Sequence, residues 1–145
     1  MPGTPTAAGP VVASHAFEQH TGEVKVRLEA NQLSELFAEA ARALCELLGS
    51  PTADAPSEWQ RVTVIARDRD ALLVAWLNEL VARTEIDHLL YREVAITDLT
   101  EQRLDATIRG VPFRETRTAV KAATFHGLQI AVEPSGASAT VVLDV

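Results

Sequence analysis

The chain has 145 residues, of which 47% are hydrophobic and 23% charged, and its formal net charge is −7 at pH 7. This length and composition suit one globular domain with a core of its own. The acidic balance argues against direct nucleic-acid binding, which needs clustered Lys and Arg. The single cysteine, Cys45, excludes an intrachain disulfide and a cysteine-based zinc site.

Pro, Gly, Thr and Ala dominate residues 1–14, which we predict to be a disordered or loosely ordered tail ahead of a domain at residues 15–145. Strict apolar–polar alternation over residues 23–30 predicts a half-buried strand. Residues 31–49 repeat apolar side chains at helical spacing, which predicts a helix with Asn31 as a candidate N-cap and Gly49 as its stop.

A loop at 51–58 and a strand at 59–66 are expected before a second helix at 68–85, capped by Asp68 or Asp70. The remainder of the chain predicts strands at 92–99, 103–110, 120–132 and 138–145. The resulting order is β-α-β-α-β-β-β-β, with the helices early and hairpin-like strands late. This order indicates an α+β fold in which two amphipathic helices pack on mostly antiparallel strands.

Membrane, export and common catalytic patterns are absent from the sequence. No apolar run is long enough to span a bilayer, and no signal peptide begins the chain, so we predict a cytoplasmic protein. GxGxxG, GxxxxGK[ST], HExxH and GxSxG do not occur. Cys45 fits a partly buried small hydrophobe and Trp76 a core residue. Asn78 and Glu79 fit either a solvated helix face or a partner surface.

Carboxylates near both ends of the predicted domain raise the question of a metal. His20 and Glu23 flank a Thr-Gly turn, where Glu23 is either solvated or held at a strand start. Asp144 is penultimate, beside the terminal carboxylate of Val145. If Glu23 comes near, three carboxylates share one place, which is an arrangement for a hard cation. The alternative is a frayed, solvated terminus.

The strand "AVKAATFHGLQI", residues 119–130, contains three polar residues that packing alone does not need. Regular alternation would put Thr124 and His126 on one face and Lys121 on the other. The pair fits a satisfied structural hydrogen bond, an exposed sheet face or part of a functional site, and the spacing leaves these alternatives open.

Five segments in order resemble the archease family over about residues 15–145. They are "HTGEV", "LSELFAEAARAL", "LLVAWLNELV", "VKAATFHGLQI" and the final "VVLDV". Family members typically carry His-Thr-Ala-Asp near the start, Leu-Leu-x-x-Trp-Leu-Asn-Glu-Leu in the middle, Lys-Ala-x-Thr-[Tyr/Phe]-His late, and a closing Asp followed by one apolar residue. The chain departs from this pattern at Gly22 and Glu23, where the family has Ala and Asp.

The resemblance implies a non-enzymatic cofactor of a GTP-dependent RNA-splicing ligase, which joins 2′,3′-cyclic phosphate or 3′-phosphate ends to 5′-hydroxyl ends. Such a cofactor promotes guanylylation and multiple turnover of the ligase in tRNA splicing and RNA repair. No catalytic residue is implied. The family's metal positions correspond to Glu23, Asp144 and Val145, and the expected metal is calcium, which accepts flexible carboxylate geometry.

The same resemblance makes His20, Lys121, Thr124 and His126 candidates for a polar site that supports the metal or faces the ligase. Two rival functions remain at this point. One is a small metal-dependent hydrolase that uses Glu23, Asp144 and His126, and the other is a metal-free binding module. The hydrolase would show turnover without a ligase, and the module would show no calcium-dependent change in melting temperature.

Overall fold

A computed structural model describes residues 12–145, which contain eight strands and two helices. In chain order these are β1 (Ser14–His20), β2 (Glu23–Ala30), α1 (Leu33–Leu48), β3 (Gly49–Pro51), β4 (Gln60–Ile65), α2 (Arg69–Asp87), β5 (Leu89–Leu99), β6 (Arg103–Thr116), β7 (Ala122–Glu133) and β8 (Gly136–Asp144). The α+β class is confirmed, and the predicted order is present with β1 and β3 in addition.

The strands form two sheets, and every pairing among residues 12–145 is antiparallel. The first sheet has the order β1-β2-β8-β7, so the last strand of the chain lies beside the first predicted one. In the second sheet, β6 is central and pairs with β3, β4 and β5. The pairing of β2 with β8 positions the candidate site, because it brings the two ends of the domain together.

Both helices pack between the two sheets. Helix α1 contacts β2 and β8 of the first sheet and β5 of the second, and α2 contacts β7 of the first and β4 of the second. The predicted apolar stripes supply this layer, with Leu36, Phe37 and Trp76 fully buried. The indole N–H of Trp76 donates to the carbonyl of Phe37 at 2.9 Å, which ties the helices together. The prediction that Trp76 is a core residue is confirmed.

The N-cap predicted from the sequence is confirmed for α2 but not for α1. The carboxylate of Asp68 accepts a hydrogen bond from the backbone N–H of Ala71 at 2.8 Å, as expected of an N-cap. For α1 the predicted cap, Asn31, is wrong by one residue: Gln32 occupies the N-cap position and its side chain makes no capping hydrogen bond. This helix is held by burial of its apolar face rather than by its cap.

Strand β1 is the main element that the sequence prediction lacked. It pairs with β2 along its whole length, from Ser14 opposite Glu29 to His20 opposite Glu23. It was missed because Phe17 is the one large apolar residue in the segment "SHAFEQH". Of the predicted tail, residues 1–11 lie outside the described residues. Within residues 12–145, neither helix combines the length and apolar character needed to cross a membrane.

Candidate functional site

Glu23 and Asp144 are direct cross-strand partners at one end of the first sheet. Directly opposed residues of an antiparallel pair project from the same face, with Cβ atoms about 4.5–5.5 Å apart. His20 lies opposite Glu23 in the neighbouring strand pair. We call Glu23, Asp144 and Val145 the acidic corner. The sequence left open whether Glu23 would come near Asp144, and the strand register places them side by side.

A two-residue turn, Thr21-Gly22, holds the acidic corner at the tip of the β1–β2 hairpin. Gly22 has φ +79°, in the left-handed region that a tight hairpin turn requires and that glycine adopts without strain. The turn suspected from the Thr-Gly pair is confirmed. Because the hairpin closes in two residues, the carboxylate of Glu23 follows the turn immediately and its position is fixed by the register of β1 and β2.

The end of β8 is fastened from both sides. The backbone N–H of Val145 donates to the carbonyl of Gly22 at 3.0 Å, and the backbone N–H of Lys121 donates to the carbonyl of Asp144 at 2.8 Å. Both bonds use backbone atoms, so the side chain of Asp144 stays exposed and free to face outward. The frayed terminus considered from the sequence is therefore not what residues 141–145 form.

The donors at the acidic corner are oxygen atoms, which fit a hard cation such as calcium. Within residues 12–145, no three side chains of His, Cys, Asp or Glu are grouped so that they could hold a metal ion. A cation bound here would need oxygen beyond the carboxylates of Glu23 and Asp144. The α-carboxylate of Val145 is the group that the fastening to Gly22 brings to the same end of the sheet.

A wide bulge interrupts β7 where regular alternation was assumed. Thr124 pairs with Val142 but the next paired residue is Gln129, which pairs with Thr140, so three extra residues lie on β7. Gly127 has φ +64°, and Phe125 is 53% exposed. The bulge removes the basis for placing His126 on the same face as Thr124, since a bulge re-aims the side chains within it.

The polar residues around the bulge have separate environments. The Thr124 hydroxyl donates to the carbonyl of Val142 at 3.0 Å, which is a structural hydrogen bond of the kind the sequence allowed. His126 is exposed within the bulge. Lys121 precedes β7 and its backbone holds Asp144, as described above. The structure therefore brings the backbone of Lys121 to the acidic corner and leaves His126 in the bulge.

The sequence offered two alternatives for Asn78, a solvated helix face or a partner surface. The structure shows a third arrangement, in which Asn78 is bonded to the backbone of β7. Its side-chain amide donates to the carbonyl of Ala123 at 3.4 Å, and its carbonyl accepts from the N–H of Ala123 at 2.7 Å. This two-bond bracket fixes α2 to β7 one residue before Thr124. The sequence could not reveal it because the two residues lie 45 positions apart.

A second polar cluster lies at the opposite end of the β1–β2 hairpin. The imidazole of His15 contacts Glu39 through Nδ1 and Glu46 through Nε2, each at 2.5 Å, and Glu39 also accepts from Arg42 Nε at 2.9 Å. We call His15, Glu39 and Glu46 the histidine clamp. It fastens the edge strand β1 to α1 and was not foreseen from the sequence.

Opposing effects set the pKa values within the histidine clamp. Burial lowers the pKa of His15, but its hydrogen bonds to Glu39 and Glu46 and their negative charges outweigh burial and raise it above 6.5. Burial raises the pKa of Glu39, but the hydrogen bonds from His15 and Arg42 outweigh it and hold the pKa below 4.5. The clamp is therefore an ion pair over the acid range between these two pKa values.

Comparison with known proteins decides the family. The model of the Archease protein family (MTH1598/TM1083) matches residues 15–145. The chain belongs to the archease family. The archease of Methanopyrus kandleri is 30% identical over 134 residues, covering 88% of this chain and 96% of that protein. The archease of Methanosarcina acetivorans is 25% identical over 139 residues, covering 90% and 95%.

Two solved structures share the archease fold. The solution structure of protein 1598 of Methanobacterium thermoautotrophicum is 28% identical, with a TM-score of 0.71, and covers 90% of this chain and 98% of that one. A crystal structure from Thermotoga maritima, described as "an archease, possible chaperone", is 18% identical, with a TM-score of 0.64 over 98% and 100% of the two chains. The resemblance found in the sequence motifs is confirmed.

Proposed function

We propose that this archease is a cytoplasmic, non-enzymatic protein partner of a GTP-dependent RNA-splicing ligase, which it activates by promoting guanylylation and multiple turnover. Membership in the archease family supports the proposal at the level of the whole chain. The observation that carries it at the level of residues is the direct cross-strand pairing of Glu23 with Asp144 at an open sheet end.

In this proposal Glu23, Asp144 and the α-carboxylate of Val145 hold a divalent cation, with calcium as the expected metal. An all-oxygen donor set of this kind suits calcium, which takes oxygen ligands at about 2.3–2.6 Å in flexible geometry. When bound, such a cation supplies positive charge that offsets phosphate charge. Glu23 reaches about one methylene further than the Asp of the family pattern, and calcium's flexible coordination accommodates that difference.

The chain's own residues then present this corner to the partner. The Thr21-Gly22 turn and the bond from Val145 to Gly22 keep the corner rigid, so docking orders few side chains. In this proposal His20, Lys121, Thr124 and His126 form the polar site that faces the ligase or supports the metal. The net charge of −7 favours encounter with a basic RNA-binding enzyme and makes that encounter sensitive to salt.

The test measures guanylylation and repeated turnover of the ligase from the same organism with archease, with its Asp144→Asn variant and with neither. Asp144→Asn keeps the backbone carbonyl that accepts from Lys121 and removes one charge. Glu29→Gln is the matched control, because Glu29 lies on β2, on the same face as Glu23, but at the other end of the strand. We expect activation to fall at least tenfold for Asp144→Asn and to be unchanged for Glu29→Gln.

Equal activation by all three proteins would refute a role for the acidic corner. Activation by none would refute the ligase partnership for this chain. The first cause to test would then be Glu23, which replaces the Asp of the family pattern. Substrate turnover by archease alone would instead support an enzyme. A separate measurement of melting temperature with and without calcium tests metal binding. We expect calcium to raise the melting temperature of the wild-type protein and of Glu29→Gln, but not that of Asp144→Asn.

A further inference from the structure

A cavity of about 320 Å³ opens where α1 ends. Arg42, Arg92 and Arg117 line it together with Ser50 and Cys45, with Glu46, Gly49, Pro51 and Leu90 completing the wall. A second cavity of about 430 Å³ adjoins it and shares Ser50, Pro51 and Arg117. Arg114 lines the second cavity, so four arginines lie around two connected spaces.

These arginines include most of those that form no salt bridge within residues 12–145. The chain has eleven arginines, and within residues 12–145 six of them form salt bridges: Arg27, Arg42, Arg67, Arg83, Arg103 and Arg109. The remaining five are Arg61, Arg69, Arg92, Arg114 and Arg117. Three of these five line the two cavities. Uncompensated positive charge is therefore concentrated at one place in an acidic protein.

Arg117 is held in position by the end of α1. Its Nη1 donates to the carbonyl of Glu46 at 3.2 Å, its Nη2 contacts the hydroxyl of Ser50, and its backbone N–H donates to the carbonyl of Leu48. A guanidinium carries five N–H donors, so these two side-chain contacts leave three of them for a ligand. A fixed guanidinium loses little freedom when it binds an anion.

The acidic groups near the first cavity are already engaged. Glu46 lines the cavity, but its carboxylate contacts the imidazole of His15 at 2.5 Å. Glu39 pairs with both His15 and Arg42. Glu115 lines the second cavity. In the first cavity, Arg92 and Arg117 therefore retain positive charge that no carboxylate of the wall offsets.

The wall of the first cavity offers binding groups but no activated nucleophile. Burial raises the pKa of the Cys45 thiol to about 12, against a smaller lowering by the charge of Arg92. A thiol with that pKa stays protonated and unreactive at neutral pH. Arginine side chains and a serine hydroxyl are, by contrast, the groups that recognise phosphate oxygens, and guanidinium does so through paired N–H bonds.

We propose that the cavity lined by Arg42, Arg92, Arg117 and Ser50 binds a phosphate group, supplied either by a free nucleotide or by the phosphorylated end of an RNA. The inference does not depend on the ligase partnership. It also qualifies the expectation of no nucleic-acid contact, because that expectation came from the average charge of the chain, whereas binding depends on charge at one surface.

The cavity shares no lining residue with the acidic corner. Glu46 links the cavity to His15 near the start of β1, whereas His20 and Glu23 lie at the other end of the hairpin. Five residues of strand separate His15 from His20, which is about 17 Å at the usual rise. A ligand at the acidic corner and another in the cavity would therefore contact different residues.

The test is isothermal titration of the full chain with inorganic pyrophosphate, with GTP and with a short oligoribonucleotide that ends in a 3′-phosphate. The variant is Arg92→Gln, since Arg92 forms no salt bridge within residues 12–145 and supports no helix end. Arg61→Gln is the matched control, because Arg61 is an exposed arginine on β4, also without a salt bridge there, and lies outside both cavities.

We expect pyrophosphate to bind and Arg92→Gln to weaken it at least tenfold, with Arg61→Gln unchanged. Tighter binding of GTP would assign the site to a nucleotide, and tighter binding of the oligoribonucleotide would assign it to an RNA end. Equal weakening by both variants would mean nonspecific attraction and would overturn the proposal, as would the absence of binding by all three probes at millimolar concentration. Ligase activation is measured separately, so its failure would leave this result standing.

Discussion

The two ends of the β1–β2 hairpin carry the same residue types in opposite settings. At one end His15 lies between Glu39 and Glu46, and Glu39 is buried and shared with Arg42. At the other end Glu23 stands beside Asp144, and His20 forms a salt bridge with Glu18 at 3.7 Å, with both side chains about half exposed. The first end satisfies its charges within the protein, and the second leaves carboxylates available to a ligand or partner.

This difference shows how the same residue types serve structure in one place and, in the proposed function, recognition in another. Buried carboxylates need partners because desolvation penalises an unpaired charge. Exposed carboxylates keep their hydration and can exchange it for a cation or a basic surface. The histidine clamp should therefore matter mostly for stability, and the acidic corner mostly for function.

Glu39→Ala should have the largest effect and gives the clearest test of this division. It removes the shared partner of His15 and Arg42 from a buried position, and we expect unfolding to become easier by about 3 kcal/mol. Asp144→Ala, at the exposed corner, should change the free energy of unfolding by less than about 0.5 kcal/mol. Urea unfolding of both variants measures this, and equal losses would contradict the division.

The histidine clamp should also make stability depend on pH. Because the pKa of His15 is raised on folding, its contribution is complete below pH 6.5 and is lost as pH rises through the folded value. Because the pKa of Glu39 is lowered, its contribution is complete above pH 4.5 and is lost as pH falls through the folded value. The clamp is therefore strongest between about pH 4.5 and 6.5.

His15→Gln measures this dependence. At pH 5.5 we expect a loss of about 2 kcal/mol, since one of its two charged contacts, with Glu46, is half exposed and screened. At pH 8 the difference between wild type and variant should shrink. His20→Gln, at the open end, serves as the control and should show little change at either pH. A His15→Gln loss that grows with pH would mean that the wild-type imidazole is neutral in the clamp.

The helices, the fold class and the family could all be predicted because their information is local. Apolar side chains at helical spacing determine α1 and α2, and alternation determines β2. Strand β1 carried a weaker pattern, but the Thr21-Gly22 pair ahead of a clear strand is a hairpin signature that would have located it. The sequence analysis interpreted that pair as a turn but predicted no strand ahead of it.

The site could be predicted only in part because its contacts are distant along the chain. The pairing of Glu23 with Asp144 depends on strand register across more than a hundred residues, and only the family pattern pointed to it. The contacts of His15 span 24 and 31 positions, and no local period encodes them. The bulge in β7 was missed for a different reason, because its signal is local. Gly127 marks the place where regular alternation fails, but the prediction assumed alternation along the whole strand.

Gly22→Ala should lower stability less than Glu39→Ala or His15→Gln and tests how rigidly the hairpin tip holds the acidic corner. At φ +79° an added side chain is strained, but no heavy atom lies within 4 Å of its Cβ, so the loss is conformational and about 1 kcal/mol. Gly127→Ala is the matched control, with φ +64° and equally open surroundings, and should lose the same amount in urea unfolding. A much larger loss for Gly22→Ala would mean that the bond from Val145 to Gly22 fails with the turn and that the corner depends on it. No loss would mean that the tip adopts another turn, in which case the register that pairs Glu23 with Asp144 would not be set by Gly22.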